Sequence, residues 1–181
     1  MRFQETLLPG VLEIHLSPHE DERGSFARIW CREEFEKAGC PFVPEQISVS
    51  RNHRRGVLRG MHLQAAPHGE HKLVRCERGA IHDVALDLRP ASPTYLRWIA
   101  VELSAENEKA LFLPPGVAHG FQTLAADAVV CYMITPGYCP QAACGFRHND
   151  PAFGIRWPLP DPILSPKDQC WPDFDPTSPP A

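Results

Sequence analysis

The stretch Gly56–Lys72 reads GVLRGMHLQAAPHGEHK. It opens on the apolar pair Val57 and Leu58, followed by Arg59 and Gly60. His62 then stands between two large apolar residues, Met61 and Leu63, and ten residues later Lys72 begins a second strand-like run. Short apolar runs interrupted by glycine and proline argue for strands. A histidine and a lysine on neighbouring strands can converge on a small anion or a carbonyl, and Arg59 beside them can clamp a phosphate. On these residues alone the simpler reading is a hydrogen-bonded core histidine flanked by solvated strand ends.

Outward from this stretch the same pattern continues. Candidate strands are 47–51, 57–63, 72–78, 80–88, 96–103, 110–113, 120–124 and 128–135, separated by Gly, Pro, Asn, Asp and Ser. Even spacing without intervening helices predicts an antiparallel sandwich or barrel and excludes a βαβ fold. Upstream, 1–16 reads as extended, HEDERG (19–24) as a polar turn and 26–30 as a short strand. Arg32–Ala38 is the single convincing helix, stopped by Gly39. Downstream, the prolines concentrate after Pro136, which predicts a loop-rich tail, with 158–181 packed over the barrel and fraying at its end.

The 181 residues suit one domain, and a net charge of −4 argues against an electrostatic nucleic-acid binder. No apolar run reaches membrane-spanning length and no basic-then-apolar leader is present, so a cytoplasmic protein is expected. The odd count of seven cysteines, without a CxxC pair, predicts reduced and mostly buried thiols.

In LPPGVAHGF (113–121) a proline–glycine turn places His119 at a strand entrance, able to face a barrel interior. Such a turn before a histidine also occurs in cupins, but their HxH metal motif is missing, since Leu63 and Gln64 follow His62; no metal site is expected. His68, His71 and His82 read as surface or packing residues. Tyr132 lies in a buried-looking strand and Tyr138 in the loop beyond. LSPKD (164–168) reads as an exposed turn. Asp83 and Asp87 read as surface ion-pairing residues, with an inward role orienting Lys72 or His119 as the other possibility.

Together these segments resemble the dTDP-4-dehydrorhamnose 3,5-epimerase family. The resemblance is carried by DERGSF (21–26), GVLRGMHLQ (56–64), KLVRCERGAIHDVALDLR (72–89), SPTYLRW (92–98), LSAEN (103–107), the His119 turn, NDP (149–151), IRWPL (155–159) and LSPKD (164–168). It implies an all-β, cupin-type jelly roll with one short N-terminal helix. It also implies a homodimer in which the N-terminal part (1–45) crosses to the partner, a barrel core over 46–135, and C-terminal loops over 136–181 that carry Asp168. The implied reaction is epimerisation beside the ketone of a nucleotide-linked 4-keto-6-deoxyhexose, with no cofactor. By motif, His62 is the base and Asp168 its partner, Lys72 donates to the C4 oxygen and Tyr132 is the acid. Arg23 and Arg59 bind phosphate, Tyr138 stacks on the nucleobase, and His119 and Lys167 touch substrate.

Three positions depart from the family pattern. Arg28 stands where an acidic residue is usual, Ser48 completes a pair with Gln46 that normally ends in asparagine, and Ala143 replaces an acidic residue. All three belong to the nucleoside neighbourhood. Two readings follow: dTDP with tolerated changes, or a GDP- or CDP-linked 4-keto sugar. Epimerisation at one carbon, a non-catalytic sugar-nucleotide binder and a metal-dependent cupin are the further alternatives.

Overall fold

The computed structural model describes residues 1–177. Its strands are β1 (Arg2–Glu5), β2 (Leu12–His15), β3 (His19–Asp21), β4 (Gly24–Phe26), β5 (Gln46–Asn52), β6 (Leu58–Gln64), β7 (His71–Arg78), β8 (Ala80–Asp87), β9 (Trp98–Ser104), β10 (Lys109–Leu113), β11 (Val117–Thr123), β12 (Ala128–Thr135) and β13 (Ala143–Gly145). The helices are α1 (Arg32–Lys37) and the four-residue α2 (Pro166–Gln169), with a 3-10 turn at Pro140–Ala142. Two sheets dominate, six-stranded in the order β1-β2-β10-β7-β12-β5 and five-stranded in the order β13-β6-β11-β8-β9. Every pairing between these strands is antiparallel. This is the jelly-roll arrangement that the family resemblance implies, and it agrees with the antiparallel sandwich or barrel expected from the strand spacing.

Strict alternation sorts the side chains into three layers. Val74, Ala85, Leu111, Val117, Phe121 and Val130 point between the sheets and form the central core. Their odd-even neighbours Leu73, Phe112 and Met133 turn outward under Phe35 of α1 and Phe42. On the opposite face Met61, Leu63, Val84 and Leu86 pack against Phe146, Phe153 and Phe174 of the C-terminal segment. The proline-rich tail therefore completes a hydrophobic layer; its expected fraying lies outside the described residues.

Several expectations need correction. The HEDERG turn and the 26–30 strand are replaced by the β3–β4 hairpin, with Asp21 opposite Gly24. LSPKD forms a helical turn, and although Lys167 is exposed as expected, Asp168 is not: Ser165 caps α2, accepting from the Asp168 N–H at 3.1 Å, and Asp168 is 5% exposed. A serine cap followed by proline at the first helical position is a helix start that reads as a turn when only one helical turn follows. His119 lies inside β11, opposite His62 on β6. Asp83 and Asp87 are fully buried. All seven cysteines are free, but only Cys76 and Cys131 are buried.

Candidate active site

At one end of the sandwich the inward positions change from apolar to polar. Along β12 the sequence of inward residues runs Ala128, Val130, Tyr132, Ile134, and along β7 it runs Cys76, Val74, Lys72. The result is a cavity of about 420 Å³, a volume suited to a small-molecule ligand.

Facing side chains come from both sheets. His62 projects from β6, and its Nε2 meets Asp168 Oδ1 at 2.6 Å. The carboxylate is fixed from two further directions, by Ser165 Oγ at 2.9 Å and Trp171 Nε1 at 3.3 Å. Burial pushes the Asp168 carboxyl up, but the bonds from His62, Ser165 and Trp171 outweigh it and hold it below the usual carboxylate range. His119 projects from β11, and its Nε2 meets Asp83 Oδ1 at 2.7 Å, both groups being buried. Among the described residues the second Asp83 oxygen has no partner.

From the six-stranded sheet come Lys72, Tyr132 and Ser48. Lys72 Nζ donates to the His62 carbonyl at 3.3 Å and pairs with Glu70 at 2.8 Å. Tyr132 sits edge-on to the His119 ring at 5.8 Å. Burial, reinforced by the charge of Asp83 and opposed by Arg59, raises its phenol well above the ordinary value, so it keeps its proton at neutral pH.

A bulge decides where Arg59 points. On β11 His119 and Phe121 are two positions apart, while their partners His62 and Arg59 are three apart. The extra residue shifts the alternation, so Arg59 and His62 both line the cavity. Arg59 is braced by Asn52 Oδ1 at 2.8 Å. The crossing is close: a Cβ on Gly60 would stand 2.5 Å from the Gly120 Cα.

Tyr138, Ala143 and Lys167 line the mouth, with Lys167 over the Trp171 ring at 5.1 Å. Gln46 accepts the Tyr138 N–H at 2.7 Å and steadies that loop from outside the cavity. Arg23 and Arg28 are not brought in. Arg23 is exposed and paired to Asp21 at 2.6 Å, and Arg28 pairs with Glu34 at 3.2 Å in a separate hollow beside Met1. Sequence reasoning missed Glu70, Ser165 and Trp171; of these only Ser165 carried a signal, as the residue before a helix-starting proline. Among the described residues no group of three His, Cys, Asp or Glu is placed to hold a metal ion.

A histidine–aspartate pair facing a protonated tyrosine and a lysine, inside a jelly roll, is an arrangement able to move protons at a carbon beside a carbonyl, the chemistry of an isomerase. Residues 5–176 match the profile of the family described as dTDP-4-dehydrorhamnose 3,5-epimerase, and the chain belongs to that family. It is 40% identical over 175 residues to the dTDP-4-dehydrorhamnose 3,5-epimerase of Sinorhizobium fredii, covering 96% of this chain and 90% of that one. It is 38% identical over 170 residues to the dTDP-4-dehydrorhamnose 3-epimerase of Streptomyces niveus, covering 93% and 82%. Among solved structures it resembles the dTDP-6-deoxy-D-glucose-3,5-epimerase of Legionella pneumophila in complex with dTDP-4-keto-L-rhamnose, with a TM-score of 0.88, 36% identity and coverage of 93% and 89%.

Proposed function

We propose that this protein inverts C3 and C5 of a dTDP-linked 4-keto-6-deoxyhexose. The observation that carries the reading is the opposition of His62 on one sheet, held by Asp168 of α2, to Tyr132 and Lys72 on the other sheet. Because Nε2 is engaged by Asp168, His62 takes the proton from the carbon beside the ketone through its other ring nitrogen, Nδ1, and later releases it to solvent, while the C–H electrons move to the C4 oxygen. Protons of that kind are too weakly acidic for an unaided imidazole of pKa about 6.5, so the developing enolate needs a donor. Lys72 supplies it. Tyr132 gives its O–H proton to the carbon from the opposite face, which inverts the centre, and regains a proton from solvent. Asp168 holds the imidazole and balances the imidazolium. Arg59 binds the diphosphate, for which the guanidinium fork is suited. Tyr138 stacks on the base, and His119 and Lys167 hold the sugar nucleotide.

Two features support a homodimer. Arg23 and the 74% exposed Phe26 sit on a projecting hairpin, away from the cavity of their own chain. Edge strand β5 presents Ile47 at 65% and Val49 at 53% exposure. A partner that covers this edge brings its Arg23 to the substrate. The seven free thiols support a reducing, cytoplasmic setting.

The likeness to a 3-epimerase makes single-centre inversion the second reading. One experiment separates the two. The protein is incubated in heavy water with the dTDP-linked 4-keto sugar, and deuterium is followed by NMR. Label at both carbons is expected; label at C3 alone makes it a 3-epimerase, and no label from folded protein overturns the assignment. Calorimetry with dTDP, GDP and CDP tests the base, since Ser48 and Ala143 line the cavity. Tight binding of GDP or CDP in place of dTDP reassigns the substrate.

A further inference from the structure

We infer that Glu70 is a positioning residue for Lys72, an inference that rests on the epimerase reading. Glu70 closes the loop between β6 and β7, two residues before Lys72. Its Oε1 lies 2.8 Å from Lys72 Nζ, with side-chain exposures of 8% and 9%. Both residues line the cavity.

An ammonium on a four-carbon stem is a mobile point charge with three donors. Glu70 takes one and the His62 carbonyl takes another at 3.3 Å. One N–H is left, and it is the one available to a substrate oxygen. The His62 carbonyl ties the cation to the strand that carries the base, and Glu70 ties it to the loop that follows that strand, so the group that stabilises the enolate is held against the group that creates it. A buried lysine without a counter-charge is also costly, and the carboxylate removes that cost. Glu70 therefore acts through Lys72 and needs no contact with substrate.

The test is a double-mutant cycle on kcat and KM, with dTDP binding and Tm as checks of the folded site. Glu70→Ala is expected to lower kcat about tenfold or more, with KM within about threefold. Glu70→Gln keeps an acceptor and is expected to recover part of that loss. In a Lys72→Ala background both changes are expected to alter kcat less than about twofold. The inference is overturned if Glu70→Ala is as active as wild type, or if KM rises while kcat holds. It is also overturned if the loss persists without Lys72, or if Glu70→Ala fails to fold while Glu70→Gln is fully active, which makes Glu70 a stability residue. Deuterium exchange by the wild type is read first: its absence overturns the epimerase reading and this inference together, whereas exchange with an inert Glu70 overturns this inference alone.

Discussion

Asp168 meets His62 at 2.6 Å and is itself gripped by Ser165 and Trp171, so its charge and its position can be separated by substitution. Asp168→Asn keeps the shape but removes the negative charge that favours an imidazolium; kcat is expected to fall about 10²-fold or more, measured by coupled assay or NMR. Tyr132→Phe makes a sharper distinction. With His62 intact a proton still leaves and returns on its own face, so deuterium exchange continues while inverted product falls about 10²-fold or more. If exchange and inversion fall together, Tyr132 is not the opposite-face acid. A second carboxylate, Asp87, contributes to acid stability. Burial raises Asp87, but bonds from Arg89, Ser92 and Thr94 prevail and bring it from 3.8 down to about 2. A lowered carboxyl stabilises the fold above its unfolded value and loses that contribution as pH falls through the folded one. The stability gap between wild type and Asp87→Asn, from urea midpoints, is therefore expected to be constant above about pH 5 and to shrink towards pH 2.

At the scale of elements, the β6–β11 crossing is the joint that aims Arg59 and His62 together. Gly60 has φ +131 and its missing Cβ faces backbone only 2.5 Å away, so Gly60→Ala must part the two strands. A cost of at least about 2 kcal/mol is expected, hence a Tm lower by roughly 5 °C, with kcat falling further than stability alone explains. An unchanged Tm would show that the strands can separate freely. Elements of this length were legible in the sequence: β12 and the central strands follow from alternation, since five or more residues repeat the pattern. Three-residue β3, β4 and β13 are too short to show a period, and α2 has one turn, so its only mark is the Ser165–Pro166 start. The site was legible through motifs whose residues are far apart in sequence, 106 positions in the case of His62 and Asp168. What motif reading could not supply was pairing across strands. Asp83 read as a surface ion-pairing residue or as one orienting Lys72 or His119, and nothing local decides between the two; Glu70 gave no reading at all, because its partner is fixed only when β7 is laid down.

For the whole molecule, the unresolved relation is between a cavity that lacks Arg23 and a hairpin that carries Arg23 into solvent at 84% side-chain exposure. An exposed arginine paired, among the described residues, to a neighbouring exposed aspartate gains little in stability and is free to make another contact. If that contact is the diphosphate in a partner's cavity, each site contains one barrel and the other chain's hairpin. Arg23→Ala then raises KM while its own chain's His62 machinery stays intact, and His62→Ala is inactive. Mixing the two variants through a cycle of dissociation and reassociation forms heterodimers in which one site holds an intact His62 and an intact Arg23. With random pairing half the dimers are mixed and half their sites are whole, so roughly a quarter of wild-type activity is expected at low substrate concentration. Additive activity with no recovery would place Arg23 in the site of its own chain, reached by hairpin movement, and a monomer by sedimentation would remove the exchange altogether.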